Sequence, residues 1–249
     1  MGTKYPRITY LLKHEEDYVF GSLLGDASIG IQPKGVTPRL QMRHSIKQRH
    51  WFYCKARMFR RFSSPKAIHL QKPDGYSKYC KLHFQSLSQP ALLSVYKKTF
   101  TSKKTLTRAW LKKITPRALM VWWLDDGSLI GKGRRKGRWN TQGFNESGTK
   151  FLVDFLAKKY KIKSQVASYV YKSNKKRYFY IYIQPLALKR LLLLMLPFVT
   201  CKQMLYKFFL VYKNPVKQKH WITILKTTLP QFESEINRLS LKYCGTTFS

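Results

Sequence analysis

The chain has 249 residues, 44% of them apolar, enough to build the core of one large domain or two small ones. Its 48 Lys and Arg against 11 Asp and Glu give a net charge of +37. These charges are dispersed along the chain, which predicts a folded basic surface for a polyanionic partner and excludes a charged tail as their source. Cys54, Cys80, Cys201 and Cys244 form no C-x-x-C pair and the six His lack zinc-ligand spacing, so free thiols in a reducing compartment are expected. The start, MGTKYPRITYLLKH, does not read as a secretory signal, and the longest apolar run, Leu191 to Val199, is broken by Pro197.

In chain order, the first strong signal is Asp17 to Gly30, DYVFGSLLGDASIG, with Glu15, Glu16 and Asp17 favouring a helix start and Asp26 following the last apolar turn. Ser28 to Ile31 and Arg39 to His44 read as a hairpin around a loop holding Pro33, Gly35 and Pro38. Arg49 to Phe62 has helical apolar spacing at Phe52, Ala56 and Phe59. A second hairpin pairs Lys66 to Gln71 with Lys78 to Gln85 across Pro73-Asp74-Gly75. A helix over Pro90 to Lys98 follows, and Ser102 to Thr115, rich in Lys and Thr, reads as a linker.

Thr115 and Pro116 then open a helix, since Thr caps and Pro needs no amide partner in the first turn. The apolar run Ala118 to Leu124 leads to Asp125, Asp126 and the helix-stopping Gly127. Carboxylates oppose the macrodipole at a helix C-terminus, so something else must require negative charge there. Ser128 to Ile130 and Arg138 to Phe144 form a hairpin around GKGRRKG, followed by a helix from Ser147 to Tyr160. Gln165 to Tyr171 pairs with Arg177 to Gln184 across SNKK, and a helix covers Leu186 to Leu196. The tail adds an aromatic segment, Gln203 to Tyr212, and a helix from Pro230 to Leu241.

Each half thus reads helix, hairpin, helix, hairpin, helix. Shifting the first motif by 100 positions puts Asp26 on Asp126 and Leu24 on Leu124, which implies an internal duplication. Packed side by side, the two motif helices would bring Asp26 and Asp126 together, a geometry calling for a divalent metal.

At Phe20-Gly21-Ser22-Leu23-Leu24-Gly25-Asp26-Ala27 and Met120-Val121-Trp122-Trp123-Leu124-Asp125-Asp126-Gly127 the chain resembles the LAGLIDADG homing endonucleases in their single-chain, two-motif form. Ala27 stands where the pattern has its terminal Gly, and Gly25 where it has an acid. Bulky Val121, Trp122 and Trp123 occupy positions where close packing wants small residues, and Gly21, Ser22 and Gly25 offer the room. The resemblance implies an α+β fold of two pseudo-symmetric αββαββα repeats. Each repeat would carry a four-stranded antiparallel DNA-binding sheet, and the two would pack through the motif helices. The halves are residues 1–103 and 115–249, with 104–114 as linker.

The resemblance also implies a monomeric, Mg²⁺-dependent endodeoxyribonuclease that makes a staggered double-strand break. Asp26 and Asp126 would be the metal ligands, with the adjoining Ala27 and Gly127. Mn²⁺ would substitute, and Ca²⁺ would bind without turnover. Lys104 and Lys207 would be the catalytic lysines and Gln142 a residue orienting water, while Asp125 is given a structural role because Gly25 is its partner position.

Strand alternation puts Tyr178, Tyr180, Tyr182 and Gln184 on one face and Phe179, Ile181 and Ile183 on the other; Gln41 and Arg43 likewise oppose Leu40 and Met42. Arg suits guanine and Gln adenine in a major groove that admits a two-stranded ribbon. The DNA-reading set is Gln41, Arg43, Lys81, His83, Gln85, Arg134, Arg138, Asn140, Tyr178, Tyr180, Tyr182 and Gln184. Strands of ~8–10 residues run ~30 Å, roughly nine base pairs, so two sheets cover a site of roughly 20 base pairs that need not be a palindrome. Double-stranded DNA is the expected partner, with no membrane and no obligate protein. An intron RNA maturase using the same basic saddle is the alternative. Usage rich in Lys, Tyr, Phe and Ile suggests an intron in an AT-rich mitochondrial or chloroplast genome.

Overall fold

The computed structural model describes residues 5–73, 78–100, 104–171 and 175–246. Asp74 and Gly75 of the first expected turn, Ser173 and Asn174 of the SNKK turn, and Ser102 and Lys103 of the expected linker lie outside the described residues. The chain divides into two compact units, Met1–Asp125 and Asp126–Ser249. Both sheets are four-stranded and antiparallel, as the resemblance implies. No helix among the described residues is long and apolar enough to cross a membrane.

In the first unit, α1 (Lys13–Leu24) starts where Glu15 accepts the Leu12 N–H at 2.7 Å and the Arg61 guanidinium at 2.8 and 2.9 Å. Lys113 lies 3.0 Å from Glu16 and Arg117 3.7 Å from Asp17, so this acidic first turn is paired as well as favoured by the dipole. Strands β1 (Ala27–Ile31), β2 (Pro38–Ser45), β3 (Ile68–Gln71) and β4 (Lys81–Gln85) are ordered β1-β2-β4-β3. Period-two alternation sends Leu40, Met42, Leu82 and Phe84 to the buried face. There α2 (Arg49–Met58) and the short turn Arg60–Phe62 lay down Phe52, Phe59 and Phe62, with Phe59 and Phe84 rings 5.6 Å apart. Each such fully buried aromatic contributes roughly 1.5–3 kcal/mol.

The unit continues through α3 (Leu93–Thr99), α4 (Arg108–Lys113) and α5 (Pro116–Asp126). Residues 108–113 of the expected linker are therefore helical, as α4, whose Trp110 and Leu111 are buried and whose first turn is capped by Thr107 at 3.0 Å from Trp110 N. Its Lys- and Thr-rich composition concealed one apolar face. Ala118 to Leu124 of α5 are buried all round, as a central helix must be. The helices approach closely at Gly21, where a Cβ would lie 2.8 Å from the Val121 Cβ.

In the second unit, β5 (Gly127–Ile130), β6 (Lys136–Asn140), β7 (Ser164–Val170) and β8 (Arg177–Ile183) are ordered β5-β6-β8-β7. β6 ends at Asn140, short of the expected Phe144, because Thr141 to Phe144 turn into the Asn145 cap of α6 (Glu146–Tyr160). Trp139, Ile181 and Ile183 face the core, and Gly137 admits Leu188 of α7 (Pro185–Met195), whose Cδ1 would lie 2.8 Å from an added Cβ. The tail holds a 3₁₀ turn, Lys202–Lys207, then α8 (Pro215–Thr228) and α9 (Glu233–Cys244). α8 was not expected: its β-branched Ile and Thr residues depress helix propensity, and its stability comes from burying Trp221, Ile222 and Leu225.

Candidate active site and nucleic-acid interface

α1 stops at Gly25, and Asp26 follows it with 35% of its side chain exposed. Beside it lies a buried cluster. The Asp125 carboxylate accepts from Trp51 Nε1 at 2.6 Å, from Lys55 Nζ at 2.7 and 2.9 Å, and from the Asp26 main-chain N–H at 3.3 Å. His44 completes the group, its Nδ1 3.6 Å from Asp26 Oδ2 and its Nε2 4.0 Å from Asp125 Oδ1. Burial alone would push the Asp125 carboxyl up. Lys55, His44 and the hydrogen bonds from Lys55 and Trp51 outweigh it and hold that carboxyl below the usual range.

Asp26, His44 and Asp125 offer donor atoms within 4.8 Å of one another. The donor set fits a hard, hydrated divalent cation at Asp26, whose side chain is partly exposed. It does not extend to Asp125, whose oxygens are committed to Lys55 and Trp51. Lys104 belongs to the same unit, at the turn between α3 and α4, where it bridges Phe100.

In the second unit, Asp126 is half-buried, and its main-chain carbonyl accepts from Asn140 Nδ2 at 3.1 Å. Asn140 Oδ1 accepts in turn from Arg138 Nε at 3.0 Å, and the Arg138 guanidinium lies over the Tyr169 and Tyr180 rings at 4.6 and 4.4 Å. Lys207 is 6% exposed at the end of the tail's 3₁₀ turn. Gln142 donates to the Tyr169 hydroxyl at 2.5 Å. Asn140, and not Gln142, is thus the amide bonded to the motif's end.

Register defines the outer faces of the sheets. In the first unit Ser28, Gln41 and Gln85 align across β1, β2 and β4, and Arg43, His83 and His69 across β2, β4 and β3. Gln41 Nε2 donates to Gln85 Oε1 at 3.3 Å, while His83 is largely buried with its Nδ1 2.7 Å from His69 Nε2. Lys81 pairs with Ser45 and Gln71 on the same face. In the second unit Ser128, Arg138, Tyr182 and Gln165 form one row, and Asn140, Tyr180 and Ala167 the next. Tyr178 pairs with Tyr169 at a ring separation of 5.8 Å. The first face is polar and the second polar and aromatic; each lies opposite a buried apolar face, and the two carry different residues. Gln184 lies just past β8 as the N-cap of α7. Arg134 lies in the loop before β6 and donates to main-chain carbonyls of the tail.

Residues 17–191 match the family model of the LAGLIDADG DNA endonuclease family. The chain belongs to this family. Membership makes it a DNA-cleaving nuclease by descent, and it accounts for both carboxylate-ended helices within one match. No curated protein matches the sequence. Among solved structures, the homing endonuclease I-WcaI bound to its DNA recognition sequence is similar with a TM-score of 0.70 and 23% identity, over 82% of this chain and 90% of that one. I-DmoI in complex with DNA and Ca matches with a TM-score of 0.46 and 11% identity, over 74% of this chain and 90% of that one. The first likeness supports the LAGLIDADG fold.

Within this LAGLIDADG chain, sequence reasoning missed Lys55, Trp51 and His44. One signal was available. Lys55 falls in the buried stripe Trp51, Phe52, Lys55 and Ala56 of α2, and a lysine there requires a buried acid. Asp125 was the surplus acid, and its structural role is that of an acceptor at the end of α5.

Proposed function

We propose that this LAGLIDADG protein is a site-specific endonuclease that makes a Mg²⁺-dependent staggered double-strand break in a long, non-palindromic DNA site of roughly 20 base pairs. The observation that carries this reading is the pair of sheet faces, Gln-, His- and Arg-lined in the first unit and Tyr- and Arg-lined in the second. Unlike faces read unlike half-sites, and the net charge of +37 supplies the attraction to phosphate.

Asp26 and Asp126 are the carboxylates we assign to the metal. A bound Mg²⁺ would supply an activated water and charge neutralisation at the scissile phosphate. Asp125 fixes the main chain of Asp26, and Asn140 does the same for Asp126. Lys207 and Lys104 provide cationic charge for the developing phosphorane and leaving oxygen. Mn²⁺ substitutes for Mg²⁺, and Ca²⁺ supports binding without turnover. We assign the gene to an intron of an organellar genome on its Lys-, Tyr-, Phe- and Ile-rich usage.

The test is selection of cleaved sites from a randomised DNA pool with Mg²⁺, followed by binding at several salt concentrations. One long asymmetric site with overhanging ends is expected. The binding slope should be steep, near −0.9 per phosphate contact. A slope equal to one or two contacts, or intron splicing without any DNA cleavage, would replace this reading, the latter with an RNA maturase.

A further inference from the structure

Lys207 closes the tail's 3₁₀ turn, and the stretch after it, Phe208 to Tyr212, is irregular, so its main-chain groups need partners from elsewhere. The side chains that satisfy them are unusually specific. Arg134 donates to Tyr206 O at 2.7 Å and to Phe209 O at 3.3 Å, while its guanidinium lies 4.4 Å from the Tyr243 ring. Trp221 Nε1 donates to Phe208 O at 3.2 Å, and Gln218 Nε2 to Leu210 O at 3.3 Å. Val211 N closes on Gly133 O at 3.1 Å.

Arg134 is held at φ +48°, a left-handed conformation that a non-glycine residue adopts only when its surroundings enforce it. Its loop, between β5 and β6, also carries Lys132 and Arg135, and Lys136 opens β6 beside it. One arginine of a basic hairpin loop thus spends its donors on the carbonyls either side of a buried lysine.

We propose that Arg134 is a positioning residue for Lys207, clasping the 206–209 backbone to the β5–β6 loop so that the lysine is presented in one geometry. The inference rests on the reading of Lys207 as a cation at the scissile phosphate. It replaces the sequence-based assignment of Arg134 to DNA contact, and it links the loop that meets DNA to a group that acts on it.

Two variants separate the roles. Arg134→Ala removes the clasp and the charge. Arg134→Lys keeps the charge that a phosphate contact would use but cannot bridge two carbonyls. Each is compared with Lys207→Met by melting temperature, by affinity and salt slope in Ca²⁺, and by strand-resolved single-turnover cleavage in Mg²⁺ at saturating protein. Both Arg134 variants are expected to bind within about threefold of wild type with an unchanged slope, because no phosphate contact is lost. Both should cut one strand roughly ten- to a hundredfold more slowly, the cost of a misplaced group, and it should be the strand most affected in Lys207→Met. A weaker affinity with a slope shallower by about 0.9 and normal cutting at saturation would return Arg134 to the DNA contacts. If Lys207→Met is slow while both Arg134 variants cut normally, the clasp alone is overturned. If Lys207→Met itself cuts both strands normally, the catalytic reading of the lysine falls, and the clasp's purpose with it.

Discussion

Lys55 and Asp125 form an ion pair whose side chains are both fully buried, with Nζ 2.7 Å from one carboxylate oxygen and 2.9 Å from the other. Breaking such a pair from one side leaves an uncompensated buried charge, which costs about 3–5 kcal/mol. Lys55→Met is therefore expected to destabilise the protein by about that amount in urea unfolding. The double variant Lys55→Met with Asp125→Asn removes both charges and keeps an acceptor for Trp51, so it should recover most of the loss. A double variant as unstable as the two single effects added together would show that the pair is not coupled.

The two motif aspartates carry the chemistry in this reading. Asp126→Asn keeps side-chain size and removes one metal-binding charge. Loss of a metal-assisted route should slow cutting at least about a thousandfold. Affinity for the site, measured in Ca²⁺, should stay within a few-fold of wild type. Cleavage at the wild-type rate by Asp126→Asn would move the catalytic centre elsewhere.

Gly25 explains how Asp125 fits. A Cβ at Gly25 would lie 2.6 Å from both the Cβ and Oδ2 of Asp125. Because Asp125 is held by Trp51 and Lys55, it has little freedom to retreat. Gly25→Ala is expected to cost about 1–3 kcal/mol. Gly143→Ala, where an added Cβ meets nothing within 4 Å, should change stability by no more than about 0.5 kcal/mol. Equal melting temperatures for the two variants would contradict the crowding at Gly25.

His83 gives the first unit a pH dependence. Burial, then the neighbouring His69 and Arg43, lower its pKa from the ordinary 6.5. The folded state therefore takes up its proton less readily than the unfolded chain. The contribution of His83 to stability is complete above 6.5 and is lost as pH falls below it. Between about pH 7.5 and about pH 5.5 the melting temperature of the wild type should fall further than that of His83→Gln. Identical slopes for the two proteins would remove His83 from the acid response.

Much of this architecture was legible because it depends on short-range pattern. β8 alternates Tyr with Phe and Ile, and the structure buries Ile181 and Ile183 while leaving the tyrosines half-exposed. The motif helices were equally plain, since a carboxylate at the end of an apolar run opposes the helix dipole and Thr115 caps α5 at 3.2 Å from Ala118 N. What escaped were relationships between distant positions of similar chemistry. Lys55 is one of 48 basic residues, and only its place on the buried side of α2 distinguishes it. Arg134 sits in a loop that reads as purely basic, yet its partners are main-chain carbonyls more than seventy positions away. Main-chain acceptors have no sequence signature.

The close approach of α1 and α5 has a bearing on how such proteins recombine. The internal repeat invites exchange of whole halves between relatives, with a join in the segment 104–114. That join would separate Gly21 and Gly25 from Ala118, Val121 and Asp125, the residues they are shaped to meet. It would also take Asp125 from Lys55 and Trp51. A half inherited this way would carry an orphaned lysine and grooves fitted to a lost helix. Crossovers placed after Asp125 would keep these contacts on one parent, so a hybrid joined at the start of β5 is expected to fold more readily than one joined at the boundary the repeat suggests.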